Sequence, residues 1–125
     1  MSKSLTVTLS LILLATPAFA KPHSDVYPVA CNDLWDAVKD TLANPGNYSY
    51  VSAEDSELKA TFVIVGSQHQ AVNSVQLNAP DAGTCTLQIQ LGYAAYGIDD
   101  EGLLRKRVAH TLDKLKATKP AAPQK

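Results

Sequence analysis

The chain predicts an α+β domain, a two-layer sandwich in which a four-stranded antiparallel sheet carries two helices on one face (α-β-β-β-β-α). Three observations lead there. Apolar residues recur every three or four positions in two separate stretches, around Leu34 to Leu42 and Leu104 to Leu115. Between them the period falls to two, with turn residues at short intervals. The two cysteines, Cys31 and Cys85, fall on the buried parity of a helix and of a strand, so one packed layer brings them together.

Residues 1–20 read as a signal peptide: Lys3 supplies positive charge, Leu5 to Ala15 a short apolar run, and Ala18-Phe19-Ala20 a small-x-small cleavage site. The mature chain is expected to start at Lys21. Residues 21–31 read as an extended lead-in, because Pro22, Pro28 and polar neighbours show no period. A single domain is expected over 32–117. Asn32 or Asp33 caps its first helix, with Cys31, Leu34, Trp35, Val38 and Leu42 on one side, and Asn44-Pro45-Gly46-Asn47 ends it.

Strands follow at Tyr48 to Ala53 and, after an acidic turn from Glu54 to Glu57, at Leu58 to Val65, where Leu58, Ala60, Phe62 and Ile64 alternate with Lys59, Thr61, Val63 and Val65. The third strand sets Ala71, Asn73, Val75 and Leu77 on one face. Ala79 to Gly83 turns into the fourth, where Cys85, Leu87, Ile89 and Leu91 alternate with Thr84, Thr86, Gln88 and Gln90. That alternation marks one packed face and one open to water. A linker with Tyr93 and Tyr96 leads to Asp99 or Asp100 as cap of the last helix, whose buried stripe is Leu104, Val108, Leu112 and Leu115; Arg105, Lys106, Lys114 and Lys116 are expected to look outward. Residues 118–125 read as a flexible tail.

The mature chain has 105 residues, enough for one core. Its charge is dipolar, with 3 basic and 11 acidic side chains over 21–101 and 7 basic and 1 acidic over 102–125. A net charge near zero argues against a dedicated nucleic-acid binder. Cys31 follows Pro28-Val29-Ala30 and lacks the context of a lipidated cysteine, and nothing after the leader approaches the ~20 apolar residues of a spanning helix. An even cysteine count in an exported chain makes a Cys31–Cys85 disulfide the expectation. Periplasm or medium is the expected compartment.

Reaction chemistry finds little purchase. His23, His69 and His110 share no metal-pair spacing, and Pro22 removes the backbone N–H that an amino-terminal copper site through His23 would need. Ser67 lies near His69, but nothing marks an oxyanion hole. Glu54-Asp55 reads as a turn and Asp99-Asp100 as a cap before either reads as a glycosidase dyad. Trp35 belongs to the core stripe. Asn47-Tyr48-Ser49 matches a glycosylation sequon, relevant in a eukaryotic source.

Leu34-Trp35-Asp36-Ala37-Val38, Gly83-Thr84-Cys85-Thr86, and Leu91-Gly92-Tyr93 with Tyr96-Gly97-Ile98-Asp99 leading into Arg105-Lys106-Arg107 together resemble small exported bacterial envelope domains of unknown function. The resemblance implies the same fold and a bacterial cell envelope, and it brings no catalytic residue. This chain departs from it in lacking a lipidation cysteine. The expected function is non-catalytic binding, with another envelope protein as partner and no cofactor, metal or nucleic acid. The expected surface is the open sheet face and the linker: Val63, Val65, Val72, Gln76, Gln88, Gln90, Tyr93 and Tyr96. Alternatives are a small-molecule or lipid carrier with a pocket between sheet and helices, and a small hydrolase.

Overall fold

A computed structural model describes residues 23–67, 70–93 and 99–118. The elements, in order, are β1 (His23–Tyr27), α1 (Cys31–Leu42), β2 (Tyr48–Glu54), β3 (Lys59–Ile64), β4 (Asn73–Asp81), β5 (Thr84–Gln90) and α2 (Asp100–Thr118). The sheet has five antiparallel strands in the order β1-β5-β4-β3-β2, one more than the sequence predicts. The additional strand lies within the expected lead-in. His23 to Tyr27 pair with Ile89 to Cys85 along the edge that β5 would otherwise leave open. An unpatterned extended segment gains a ladder there that its own composition does not announce, so the domain begins before residue 32.

β1 and β2 are consecutive strands at opposite edges of the sheet, and α1 makes the crossing. Four strand spacings of about 4.8 Å come to roughly 19 Å, and twelve helical residues at about 1.5 Å each give roughly 18 Å. The helix length thus matches the sheet width. α1 starts at Cys31, earlier than expected, with Ala30 at its N-cap and no side-chain cap hydrogen bond. Asn32 and Asp33 are not the cap. The helix follows three residues after β1, and the Cys31–Cys85 disulfide holds its first residue 4.9 Å (Cα–Cα) from the strand it crosses. The α1 end is as expected: Asn47 and Tyr48 N–H both donate to the Asn44 carbonyl.

Both helices pack on the same face. Leu34, Trp35, Val38 and Leu42 of α1 and Leu104, Val108 and Leu112 of α2 join Ala60, Phe62, Ile64, Val75, Leu77, Cys85, Leu87 and Ile89 in one cluster. The helices run side by side, tied by the Thr41 and Thr111 hydroxyls at 2.9 Å. Asp99 caps α2 as expected: its carboxylate accepts from the Gly102 N–H at 2.8 Å. A side chain at buried Gly102 would collide with that carboxylate, which explains glycine inside the first turn. β4 runs on to Asp81 through an irregularity after Asn78, and Pro80 sits in that irregular stretch, where its missing N–H costs no ladder bond.

Candidate functional site

The outer face of the sheet is built by parity. In each antiparallel pair, opposed residues share a face, so Ser24, Gln88, Gln76, Lys59 and Glu54 form a row across all five strands. A second row runs Gln90, Ser74, Thr61 and Ser52. Val26, opposite Thr86, adds an apolar position from the strand the sequence did not reveal. Val65 and Val72 are 45% and 65% exposed, Gln90 is exposed, and Gln76 and Gln88 are half-buried. Val63 is only 9% exposed, so of the expected contact residues it offers a partner least. Gln76 is engaged within the chain, its amide donating to the carbonyls of Glu57 and Leu77.

The β2 edge is interrupted. Register shifts between Ser49 and Ser52, and Tyr50 takes φ 50°, a left-handed conformation unusual for an aromatic residue. Tyr50 is 85% exposed beside exposed Val51. A bulge of this kind blunts the edge against further strand pairing while presenting an aromatic ring. No period in the sequence distinguishes Tyr50 from its neighbours, so this feature was not legible there.

Tyr93 sits in the linker after β5 as an anchored residue. Its hydroxyl donates to the Asp100 carboxylate and lies 3.4 Å from the Ser67 hydroxyl, joining the start of α2 to the loop after β3. Burial, the hydrogen bond to Asp100 and that residue's charge raise its pKa above the ordinary tyrosine value, outweighing the Ser67 contact. Beside it the carboxamide of buried Asn73 donates to the carbonyls of Phe62 and Ala71 and accepts from the Gly92 N–H at 2.9 Å. A Cβ on Gly92 would sit 2.5 Å from the Val72 carbonyl oxygen, so the strand can approach only through glycine. Asparagine at a core-parity position was the available sequence signal. Tyr96 and His69 lie outside the described residues.

Trp35 packs in the core as expected, and its indole N–H reaches out to Asp55 in the β2–β3 turn at 2.7 Å. Lys39 reaches the same carboxylate at 3.0 Å. These two donors, with the Lys39 charge, hold Asp55 below the usual carboxylate range. Asp55 is therefore a latch between turn and helix, and its neighbour Glu54 closes the outer row with Lys59. Asp99 and Asp100 are likewise occupied, by the cap and by Tyr93.

Arg105 departs from expectation. It is half-buried, 2.8 Å from Glu101 and 3.3 Å from Asp25 of β1, because the newly found strand places an acidic residue beneath α2. Burial alone would lower its pKa, but the carboxylates of Glu101, Asp25 and Asp99 hold it above the ordinary value. The outward cations are Lys106, Lys114 and Lys116, with half-buried Arg107 donating to the Tyr48 hydroxyl at 3.0 Å. Burial raises the Tyr48 pKa against the opposing effect of Arg107.

Several grooves open on the outside. One of about 460 Å³ between α1 and α2 is lined by Asp33, Asp36, Asp40, Leu112, Leu115 and Lys116. Another, of about 410 Å³, lies between the end of α1 and the middle of α2 around Arg107. Among the described residues, the linings of four such grooves do not include Phe62, Val75, Leu77, Leu87 or Ile89, the side chains a ligand between sheet and helices would touch. Among the described residues no cluster of three or more His, Cys, Asp or Glu could hold a metal ion, and no helix is long and apolar enough to cross a membrane.

No family model matches the chain, and no curated protein matches it. Among solved structures it is similar to a START superfamily protein from Mycobacterium smegmatis, at 9% identity over 76% of this chain and 94% of that one, with a TM-score of 0.46.

Proposed function

We propose that this chain is an exported, non-catalytic binding domain that recognises another envelope protein across the outer face of its sheet. The observation that carries the reading is the sidedness of the sandwich. Both helices cover one face, and the other combines exposed Val26, Val65 and Val72 with Thr, Ser and Gln rows. Such a surface removes apolar area from water on association while its amides and hydroxyls offer hydrogen bonds that fix register. Polar groups the sequence offers as candidates for catalysis are engaged elsewhere: Asp55 as a latch, Asp99 as a cap, and Ser67 beside Tyr93.

The test places a photo-crosslinking residue at Val72, Gln88 or Gln90, and at Lys116 on the helical side, in the protein expressed in its native envelope. A discrete adduct from the three sheet positions and none from Lys116 supports the reading. Adducts confined to Lys116, or none from the sheet positions, overturn it. Mass spectrometry of the same material reports compartment, with Lys21 as the expected first residue and an intact Met1 as the contrary result.

A further inference from the structure

The middle of α2 holds a concentration of positive charge that no ion pair with a described residue neutralises. Arg107, His110, Thr111 and Lys114 recur at three and four residues on one face of the helix, and Lys106 flanks them. Elsewhere in the described molecule Lys39 is matched by Asp55, and Arg105 by Glu101 and Asp25, while Lys59 and Lys116 stand singly on the surface. Lys106, Arg107 and Lys114 make no ion pair with a described residue.

The row also has walls. The end of α1 and the residues after it face it, and the groove between them, about 410 Å³, is lined by Asp40, Thr41, Asn44 and Asn47 opposite the cations. Arg107 is held in place there. Its guanidinium donates to the Tyr48 hydroxyl and lies 5.5 Å from the centre of that ring, which orients it without neutralising it. The Asn44 side-chain oxygen accepts from the Gly46 N–H, which leaves its amide hydrogens as donors at the rim. Three permanent cations, one carboxylate and two carboxamides in a groove of small-molecule size fit a compact dianion.

We infer that the groove between the end of α1 and the Lys106–Lys114 face of α2 is a binding site for a phosphate-type dianion. Arg107 supplies the oriented donor, and Lys106 and Lys114 supply mobile charge on either side. The shared chemistry is a phosphate group with two negative oxygens, presented either by a soluble ester or by a lipid headgroup. The site lies on the helical side of the sandwich, so it stands or falls independently of recognition across the sheet.

Pyrophosphate titrated into the 15N-labelled full mature chain at low salt tests it. The expected result is saturable shifts concentrated at Asn47, Arg107 and Thr111. The double substitution K106A/K114A should weaken binding at least tenfold, while K116A, in the neighbouring acidic groove, should change it less than twofold. Without anion the double variant should unfold no more easily than the parent, because both lysines are exposed and make no ion pair with a described residue, and only the parent should gain thermal midpoint when pyrophosphate is added. Vesicles of phosphatidylcholine, with and without phosphatidic acid, distinguish the sources: co-sedimentation that needs phosphatidic acid and is lost in K106A/K114A identifies a headgroup, and saturable pyrophosphate binding without it identifies a soluble ester. Shifts that never saturate, or an equal loss of affinity in K116A, would mean diffuse charge attraction and overturn the site.

Discussion

Reducing the Cys31–Cys85 bond tests the architecture where the chain is most dependent on one link. The bond closes a loop of 54 residues, for which the chain-entropy model gives about 4 kcal/mol of stabilisation. A domain of this size has roughly 5–15 kcal/mol in total, so the loss should be plain. At about 4–8 °C per kcal/mol, the thermal midpoint should fall by on the order of 20 °C. The reduced parent protein is the informative sample, because it keeps both sulfur atoms. In C31A/C85A, truncation at a fully buried strand position adds about 1 kcal/mol of lost packing. Urea unfolding of oxidised, reduced and doubly substituted protein measures all three. The loss should also have a location. Tyr27 is paired with Cys85 at the end of β1, and the chain between Tyr27 and Cys31 is short, so amide protons of His23 to Tyr27 should lose protection from exchange before those of β3 to β5. If reduced and oxidised protein unfold within about 1 kcal/mol of each other, or if β1 stays as protected as β5, the bond is not what secures that edge and the reasoning fails.

Two further outcomes follow from buried and latched groups. Asn73→Ala should cost about 2–4 kcal/mol in urea unfolding, because it strands the Gly92 N–H and the carbonyls of Phe62 and Ala71; a loss under about 0.5 kcal/mol would show that water replaces the amide at no cost. Asp55 has its folded pKa lowered by Trp35 and Lys39, so its contribution is present above the unfolded carboxylate pKa and disappears as pH falls through the folded value. Asp55→Ala should therefore be less stable than the parent at pH 7, with the gap closing towards pH 3, and a gap that stays constant with pH would contradict the latch.

Much of the fold was legible because the determining information is local. The period-two runs of β3 and β5 place Phe62 and Leu87 inside whatever the strands pair with, and Asp99 ahead of an apolar stripe caps a helix in any context. Cysteine parity was enough to anticipate the bond. The outer-face residues were recognisable for the same reason, since alternation assigns a face before any partner is known.

The sequence by itself determined the helices, the alternation of the inner strands, the capping of α2 and the pairing of its two cysteines, all from patterns a few residues long. Only the tertiary structure decided that His23 to Tyr27 is a strand, because an edge ladder is supplied by the neighbour and leaves no period in the segment that joins it. From that strand comes the fate of Arg105: once Asp25 lies beneath α2, a cation that helical periodicity turns outward is half-buried between two carboxylates. Lys106 and Arg107, the next two residues, and Lys114, more than two turns further on, line the groove against the end of α1 and make no ion pair with a described residue. Charge type is written in the sequence, but whether a charge is matched depends on which backbone packs against it.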